Sequence, residues 1–335
     1  MSLRQSAFVE VASGLGYPEG PVYLADGSLI CADVKAGAVL HFLPDSTNPG
    51  KFLAPKSIAL GGSPNGCAVG PDGAIYVCNS GGFSFETFGP PKLPYTLSVP
   101  TVQAKDYAGG QIQRLDLAGG IFETWCATNS CLTDPRGLRG PDDLVFDSDG
   151  GLWFTDWGKS DGITRDMTGV YYVPKGSRSP VMKIPERMSP NGISLSKDQK
   201  RLYVAESIPR WIVYWELSDY GTIKPSTKLD GSYLLTAKIP FCGQLDSMCL
   251  DDEGNLYVAT YLPKGLDPSV NGFITVVSPK GEILEYIEFD IGAPEPLPSN
   301  ICFGGPNRKT AFMTLGGTGR IVSCQMKIPG LKHSF

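Results

Sequence analysis

Six short segments open on a polar residue and run straight into a β-rich stretch. They are Pro18-Glu19-Gly20-Pro21, Pro64-Asn65-Gly66, Pro141-Asp142-Asp143-Leu144, Pro190-Asn191-Gly192, Leu245-Asp246-Ser247 and Ser299-Asn300-Ile301. Asp and Asn are common in turns for local reasons, so each one alone reads as a cap. As a set, Glu19, Asn65, Asp142, Asn191, Asp246 and Asn300 are all carboxylates or carboxamides. Carboxylates gathered around one axis repel and raise one another's pKa unless a cation neutralises them. Oxygen donors without thiolate or imidazole select a hard cation, and a mixed carboxylate and amide set suits calcium better than magnesium. One divalent ion is therefore expected, calcium first, with magnesium, manganese or zinc as alternatives.

What would bring six distant residues to one axis is a repeat. A turn residue stands seven positions after each of them, at Asp26, Asp72, Asp149, Asp198, Glu253 and Asn307, and four of these are followed by Gly. Tight hairpins favour Gly because it adopts positive φ without steric cost. A second β-rich run follows each turn, as in Leu152-Trp153-Phe154 and Leu256-Tyr257-Val258. Further strands follow in most units, helical periodicity is weak, and the chain carries 41 glycines and 28 prolines. This predicts an all-β six-bladed β-propeller with four antiparallel strands per blade, spanning residues 1–335 as one domain. In such a fold the residue opening each inner strand points toward the mouth of the central channel.

Fourteen positions after the axial residues lies a second polar set, Asp33, Asn79 and Asp156, with Glu206 offset by one. It reads equally as strand-end capping or as support for the ligands. A long insertion at about 80–110 carries Phe83, Phe85, Phe88, Pro90, Pro91, Pro94 and Tyr95. Joining the second and third strands of its blade, it is expected on the axial face as a lid or pocket wall.

Composition narrows the chemistry. Only His41 and His333 occur, neither near an axial position, which argues against a Ser-His-Asp hydrolase and a His-rich zinc enzyme. G-x-S-x-G, P-loop and Rossmann motifs are lacking. A net charge of -5, from 34 acidic and 29 basic residues, gives no footprint for nucleic acid. No apolar run approaches a membrane span, and the N-terminus lacks an apolar signal region, so a cytoplasmic location is expected. The nine cysteines form no C-x-x-C pair; Cys126 and Cys131 are the one pair placed for a disulfide.

From Gly16 onward the chain resembles the gluconolactonase, regucalcin (senescence marker protein) and luciferin-regenerating-enzyme family of six-bladed propellers. The resemblance rests on Pro18-Glu19-Gly20-Pro21, Gly140-Pro141-Asp142-Asp143-Leu144-Val145-Phe146-Asp147, Ser189-Pro190-Asn191-Gly192-Ile193, Asp246-Ser247 and Asn300-Ile301-Cys302-Phe303-Gly304-Gly305. It implies a metal held by Glu19, Asn191 and Asp246, with Asp142 beside the metal or the substrate. Asp at that third-blade position resembles the bacterial drug-responsive lactonases. The proton carrier implied is Asp246, followed by Ser247 as in those lactonases, with Asp142 as the alternative. Where regucalcin has an Arg two residues before its third-blade residue, this chain has Gly140, and Arg139 stands one further back.

The activity implied is metal-dependent opening of a small lactone, a sugar lactone such as gluconolactone. The ion would polarise the carbonyl while Asp246 or Asp142 takes a proton from the attacking water. Asn65, Asn79, Arg139, Ser247 and Tyr261 are the candidate substrate contacts. Two rivals remain: the same site acting on phosphotriesters, as in diisopropylfluorophosphatase, and a calcium-binding propeller without catalysis. The expected partner is a small molecule, and the oligomeric state stays open.

Overall fold

The computed structural model describes residues 2–89, 96–131, 133–228, 230–239, 243–261, 271–292, 295–332 and 334–335. Six antiparallel sheets form the blades of a β-propeller. The inner strands are Pro18–Tyr23, Pro64–Val69, Pro141–Phe146, Pro190–Leu195, Gln244–Leu250 and Pro298–Gly304. Each packs against the next, and the sixth returns to the first, which closes the ring around a central channel. Blade 6 is completed by Val9–Ala12 from the beginning of the chain, pairing antiparallel with Arg320–Gln325. In blade 4 the strand Trp211–Asp219 pairs with both Thr222–Ile223 and Tyr233–Thr236, so that sheet has five strands.

The hairpins obey the architecture even where the sequence does not favour them. Gly27, Gly73, Gly150 and Gly254 all take positive φ in the first turn of their blades. In blades 4 and 6, Gln199 and Arg308 fill the same slot without being glycine and still adopt φ 57° and 55°. The strand pairing on either side therefore imposes a conformation that costs these residues free energy.

Apolar residues alternate along the strands and meet between blades. Blades 1 and 2 share Ile30, Val39, Ile75 and Val77; blades 3 and 4 share Trp153, Tyr172, Leu202 and Trp215; blades 5 and 6 share Tyr257, Ile274, Ile301 and Met313. Similar clusters fill the other junctions. Each junction thus buries its own apolar core, and the blades hold one another in register around the axis.

Cys126 and Cys131 are both free thiols, so the disulfide considered from their spacing is not formed. The Cys126 thiol instead lies 3.2 Å from the Ser130 hydroxyl. Cys242 and His333 lie outside the described residues. Among the described residues no helix is long and apolar enough to cross a membrane.

Candidate metal centre and pocket

The pairing register breaks where the axial residues stand. In blade 3 Pro141 faces Asp156, but the next regular partners are Leu144 and Phe154. Blades 1, 2, 4 and 5 show the same shift just after the axial residue. Such a bulge re-aims side chains, here into the channel mouth. The crowding is extreme: a Cβ on Gly20, whose φ is 52°, would collide with the Asn65 carbonyl, and one on Gly66 would sit 2.6 Å from the Asp142 carbonyl oxygen. Glycine after Glu19 and after Asn65 is what lets adjacent inner strands approach this closely.

Around the ring, acid and amide alternate: Glu19, Asn65, Asp142, Asn191, Asp246, Asn300. Each amide attends a neighbouring acid. Asn300 Nδ2 donates to Glu19 Oε2 at 2.9 Å, and Asn65 Nδ2 donates to Asp142 Oδ1. Asn191 likewise supplies a hydrogen bond that favours the charged form of Asp246. The alternation keeps any two carboxylates from being neighbours in the ring, yet all three remain buried, none more than 8% exposed.

Burial dominates their protonation. Loss of water pushes Glu19 up to about 7, against the pull of the Asn300 and Gly20 hydrogen bonds. Asp142 rises well above the carboxylate range through burial and then the Glu19 charge; Asp246 does so through burial and then Glu19 and Asp142. Asp143, one position further down the channel, is pushed to about 7 by burial. Ordinary solvation cannot keep such a set charged; a bound cation would.

Two further observations bear on a cation. Asn65 Oδ1 is a buried acceptor with no hydrogen-bond partner, which is costly unless something electropositive faces it. Among the described residues no three His, Cys, Asp or Glu side chains cluster as a metal site by themselves. Amide oxygens would therefore have to complete the coordination. Glu19, Asp142, Asn191 and Asp246, with Asn65 adjacent, supply the oxygen-only donor set that a hard divalent ion takes, so the residues fit the group.

Above the ring lies a pocket of about 410 Å³ whose lining includes Glu19, Asn65, Asp142, Asn191, Asp246 and Tyr261. Its roof comes from the insertion in blade 2. Phe83–Phe88 and Leu97–Gln103 pair as a hairpin between the second and third strands of that blade. The hairpin is tied to three other blades: Lys35 Nζ donates to Ser98 Oγ at 2.9 Å, Ser98 N to Gly317 O at 2.9 Å, and Gln103 N to Ser160 O at 2.9 Å. Pro90, Pro91, Pro94 and Tyr95 lie outside the described residues.

Not every candidate reaches this pocket. The Asn79 amide accepts from Ser63 N and Gly81 N and donates to Gly61 O and Gln113 Oε1, which fully engages it in holding loops. Arg139 turns to Asp166 at 2.9 Å and lies over the Tyr107 ring, away from the ring of acids. Ser247 is fully buried, its hydroxyl 3.5 Å from Asn191 Oδ1, where it positions the amide. Asp33 and Asp156, like Asn79, bind backbone: Asp156 accepts from Arg139 N, Gly140 N and Gly158 N, and Asp33 from Gly16 N, Tyr17 N and Ala36 N. Glu206 pairs with Arg187 and Trp211.

Residues not singled out from the sequence also line the pocket: Tyr17, Val99, Pro100, Trp157, Gln244 and Leu297. Tyr17 and Gln244 each stand two positions before an axial acid, and Trp157 follows the capping Asp156, so a signal existed in the repeat. Lys159 is another surprise. It is buried, with Nζ 3.1 Å from Gly82 O and 3.3 Å from the centre of the Phe83 ring, and burial lowers its pKa to about 7.

Comparison with known proteins gives a consistent picture. Residues 17–317 match the SMP-30/Gluconolactonase/LRE-like region. Lactonase drp35 of Staphylococcus aureus strain MW2 is 30% identical over 245 residues, covering 72% of this chain and 63% of that protein. Among solved structures, a gluconolactonase from Xanthomonas campestris superposes with a TM-score of 0.67 at 19% identity, covering 95% of this chain and 89% of that one. The calcium-binding protein regucalcin from Agrobacterium tumefaciens gives 0.68 at 16% identity, covering 98% and 97%. At those identities the superpositions speak for the fold. The family match covers nearly the whole propeller, axial acids and amides included, and the chain belongs to the SMP-30/gluconolactonase/LRE-like family.

Proposed function

We propose that this protein is a metal-assisted hydrolase that opens the ring of a small lactone. The observation that carries it is the floor of the pocket: three buried carboxyl groups alternating with three amides, one of which leaves a buried oxygen without a partner. The lactonase name of the Staphylococcus relatives supports the reaction class, and the calcium-binding regucalcin supports the ion. Glu19, Asp142, Asn191 and Asp246 hold the ion, calcium before magnesium, manganese or zinc. When bound, the cation supplies Lewis acidity toward the ester carbonyl and offsets the charge of the ring.

The side chains do the rest. Burial, then the charges of Glu19 and Asp142, raise the pKa of Asp246, so balancing the ring charge favours the carboxylate form that can act as a base. It then takes the proton of the attacking water and returns it to the leaving alkoxide as the ring opens. Ser247 contacts the Asn191 amide oxygen at 3.5 Å, and Asn191 in turn hydrogen-bonds Asp246, which links the three side chains at the floor of the pocket. Asp142, bonded by Asn65, serves as ligand. The hairpin roof and the aromatic walls reduce the solvent around a bound ester.

The test is turnover by chelator-stripped protein on a panel of aldono-, alkyl- and aryl-lactones, with calcium, magnesium, manganese or zinc restored singly. Ring opening that depends on an added ion, calcium best, is expected. Equal turnover before and after stripping would remove the metal from the proposal, and no turnover with any ion would remove the lactonase.

A further inference from the structure

Four kinds of group could meet the hydroxyls of a sugar lactone, and most are already engaged. Asn79 and Arg139 hold loops and Asp166, and Ser247 is sealed beneath Asn191. The Thr101 hydroxyl in the roof donates within its own hairpin, to Ser84 O at 3.0 Å. The other polar residues lining the pocket above the ring are Gln244, Glu86, Tyr17 and Tyr261. The larger part of the wall is Phe83, Val99, Pro100, Val102, Trp157 and Leu297.

That wall is rigid as well as apolar. The Trp157 indole is held by Nε1 donating to Ser207 Oγ at 3.4 Å, by the Arg165 guanidinium 3.5 Å from the ring centre, and by Phe83 meeting it edge-on at 5.9 Å and 76°. Arg165 also donates from Nη2 to the Trp157 carbonyl at 2.6 Å, which ties ring and backbone together. A preorganised aromatic face binds an apolar body without first being ordered. Hydroxyls placed against the same face would lose water and gain no partner.

Resting on the lactonase reading, we propose that the pocket selects lactones with an apolar body, an aryl-fused or alkyl-substituted ring, over polyhydroxylated sugar lactones. The body lies between Trp157 and Phe83 on one side and the Val99–Val102 roof on the other, with the ester turned down to the acid ring. Trp157 and the hairpin are then specificity-determining residues, and the sugar lactone expected from family resemblance is a poor fit.

The experiment uses the calcium-loaded full chain and two non-hydrolysable lactams, the aryl-fused 3,4-dihydro-2-quinolinone and the polyol gluconolactam, with binding read by calorimetry. The aryl lactam is expected to bind at least about tenfold more tightly, in line with what a few methylenes discriminate in an apolar pocket. Trp157→Ala should remove that advantage and leave gluconolactam unchanged. Val102→Thr, nearly isosteric in a surface hairpin, should weaken the aryl lactam several-fold and serves if Trp157→Ala does not fold. Equal or tighter binding of gluconolactam by the parent protein overturns the proposal. Turnover of an aryl-fused δ-lactone and an aldono-δ-lactone separates the two readings. Higher kcat/KM for the aldonolactone overturns the apolar preference and leaves the lactonase standing; tight aryl-lactam binding with neither lactone opened does the reverse.

Discussion

Two polar sets run around this propeller fourteen residues apart, built from the same three residue types, and they do opposite things. In the outer set Asp33, Asn79 and Asp156 satisfy backbone, while Glu206 pairs with the Arg187 and Trp211 side chains. Asp33 and Asp156 each accept three main-chain N–H groups, and Asn79 accepts two while donating two. The N–H groups so held, such as Gly16 and Tyr17 before Glu19 and Arg139 and Gly140 before Asp142, belong to the loops entering the axial strands. The axial set is left with capacity. Its carboxyls are buried, mutually repelling and attended by one amide each, and Asn65 Oδ1 has no partner. Residue type does not distinguish the two sets; unsatisfied oxygen does, and chemistry lies where it is left over.

Asp246→Asn should break the comparison most visibly. It keeps an oxygen for the cation and removes the proton acceptor, so kcat at saturating calcium is expected to fall by about 10² to 10⁴. Thermal stability should hold, because a buried, repelled carboxyl has been removed. Near-normal kcat in this variant would take the proton-carrying role away from Asp246.

Asp156→Ala should do the reverse. It strands the N–H groups of Arg139, Gly140 and Gly158, each worth about 1 to 3 kcal/mol when left unsatisfied, so a loss of at least about 3 kcal/mol in urea denaturation is expected. Asp156→Asn retains Oδ1, which receives Gly140 and Gly158, and should lose less than half of that. An Asp156→Ala protein as stable as the parent would show that the caps are dispensable.

How far these outcomes could be read from the sequence differs by region. The propeller was legible because hairpin geometry forces a constant offset between Glu19 and Asp26 or Asp142 and Asp149, and Gln199 and Arg308 follow it without glycine. The axial acids were legible as a set. The role of Asn79 was not, since an amide at a strand end can serve ligand or loop, and only its four bonds decide. Arg139 was misleading because a long side chain can swing to Asp166 without any change in spacing. The pocket wall was least legible: Val99 of the inserted hairpin and Leu297 lie outside the repeat, and with Trp157 they come from different parts of the ring and meet only in three dimensions.

Metal removal sharpens the same contrast. Calcium should stabilise the parent protein by about 2.7 kcal/mol when free ion is roughly a hundredfold above its dissociation constant. The cap variant Asp156→Asn should keep that increment on a lower baseline. Glu19→Gln should need more calcium to reach it and should regain activity as calcium is raised. Superimposed melting curves of the parent with chelator and with calcium would remove the cation from the ring.

The smallest effect is expected at Asp142→Asn, because the ring is prepared to absorb it. In the parent, Asn65 Nδ2 donates to Asp142 Oδ1 while Asn65 Oδ1 goes without a donor. An amide at position 142 brings a donor of its own. If the Asn65 side chain turns over, its oxygen can accept from the new NH₂ group while its own NH₂ takes the place the oxygen left, so one hydrogen bond is kept as one buried carboxyl disappears. A metal-free protein at least as stable as the parent is expected, because a buried carboxyl facing the Glu19 charge is gone. Calcium affinity should fall, because a charged ligand has become neutral. Turnover at saturating calcium should stay within about tenfold of the parent, since Asp246 still takes the proton. The measurement that decides is kcat for Asp142→Asn beside Asp246→Asn under the same saturating calcium. Collapse of the first with survival of the second would exchange their roles, making Asp142 the base and the Asn65 hydrogen bond its orienting contact.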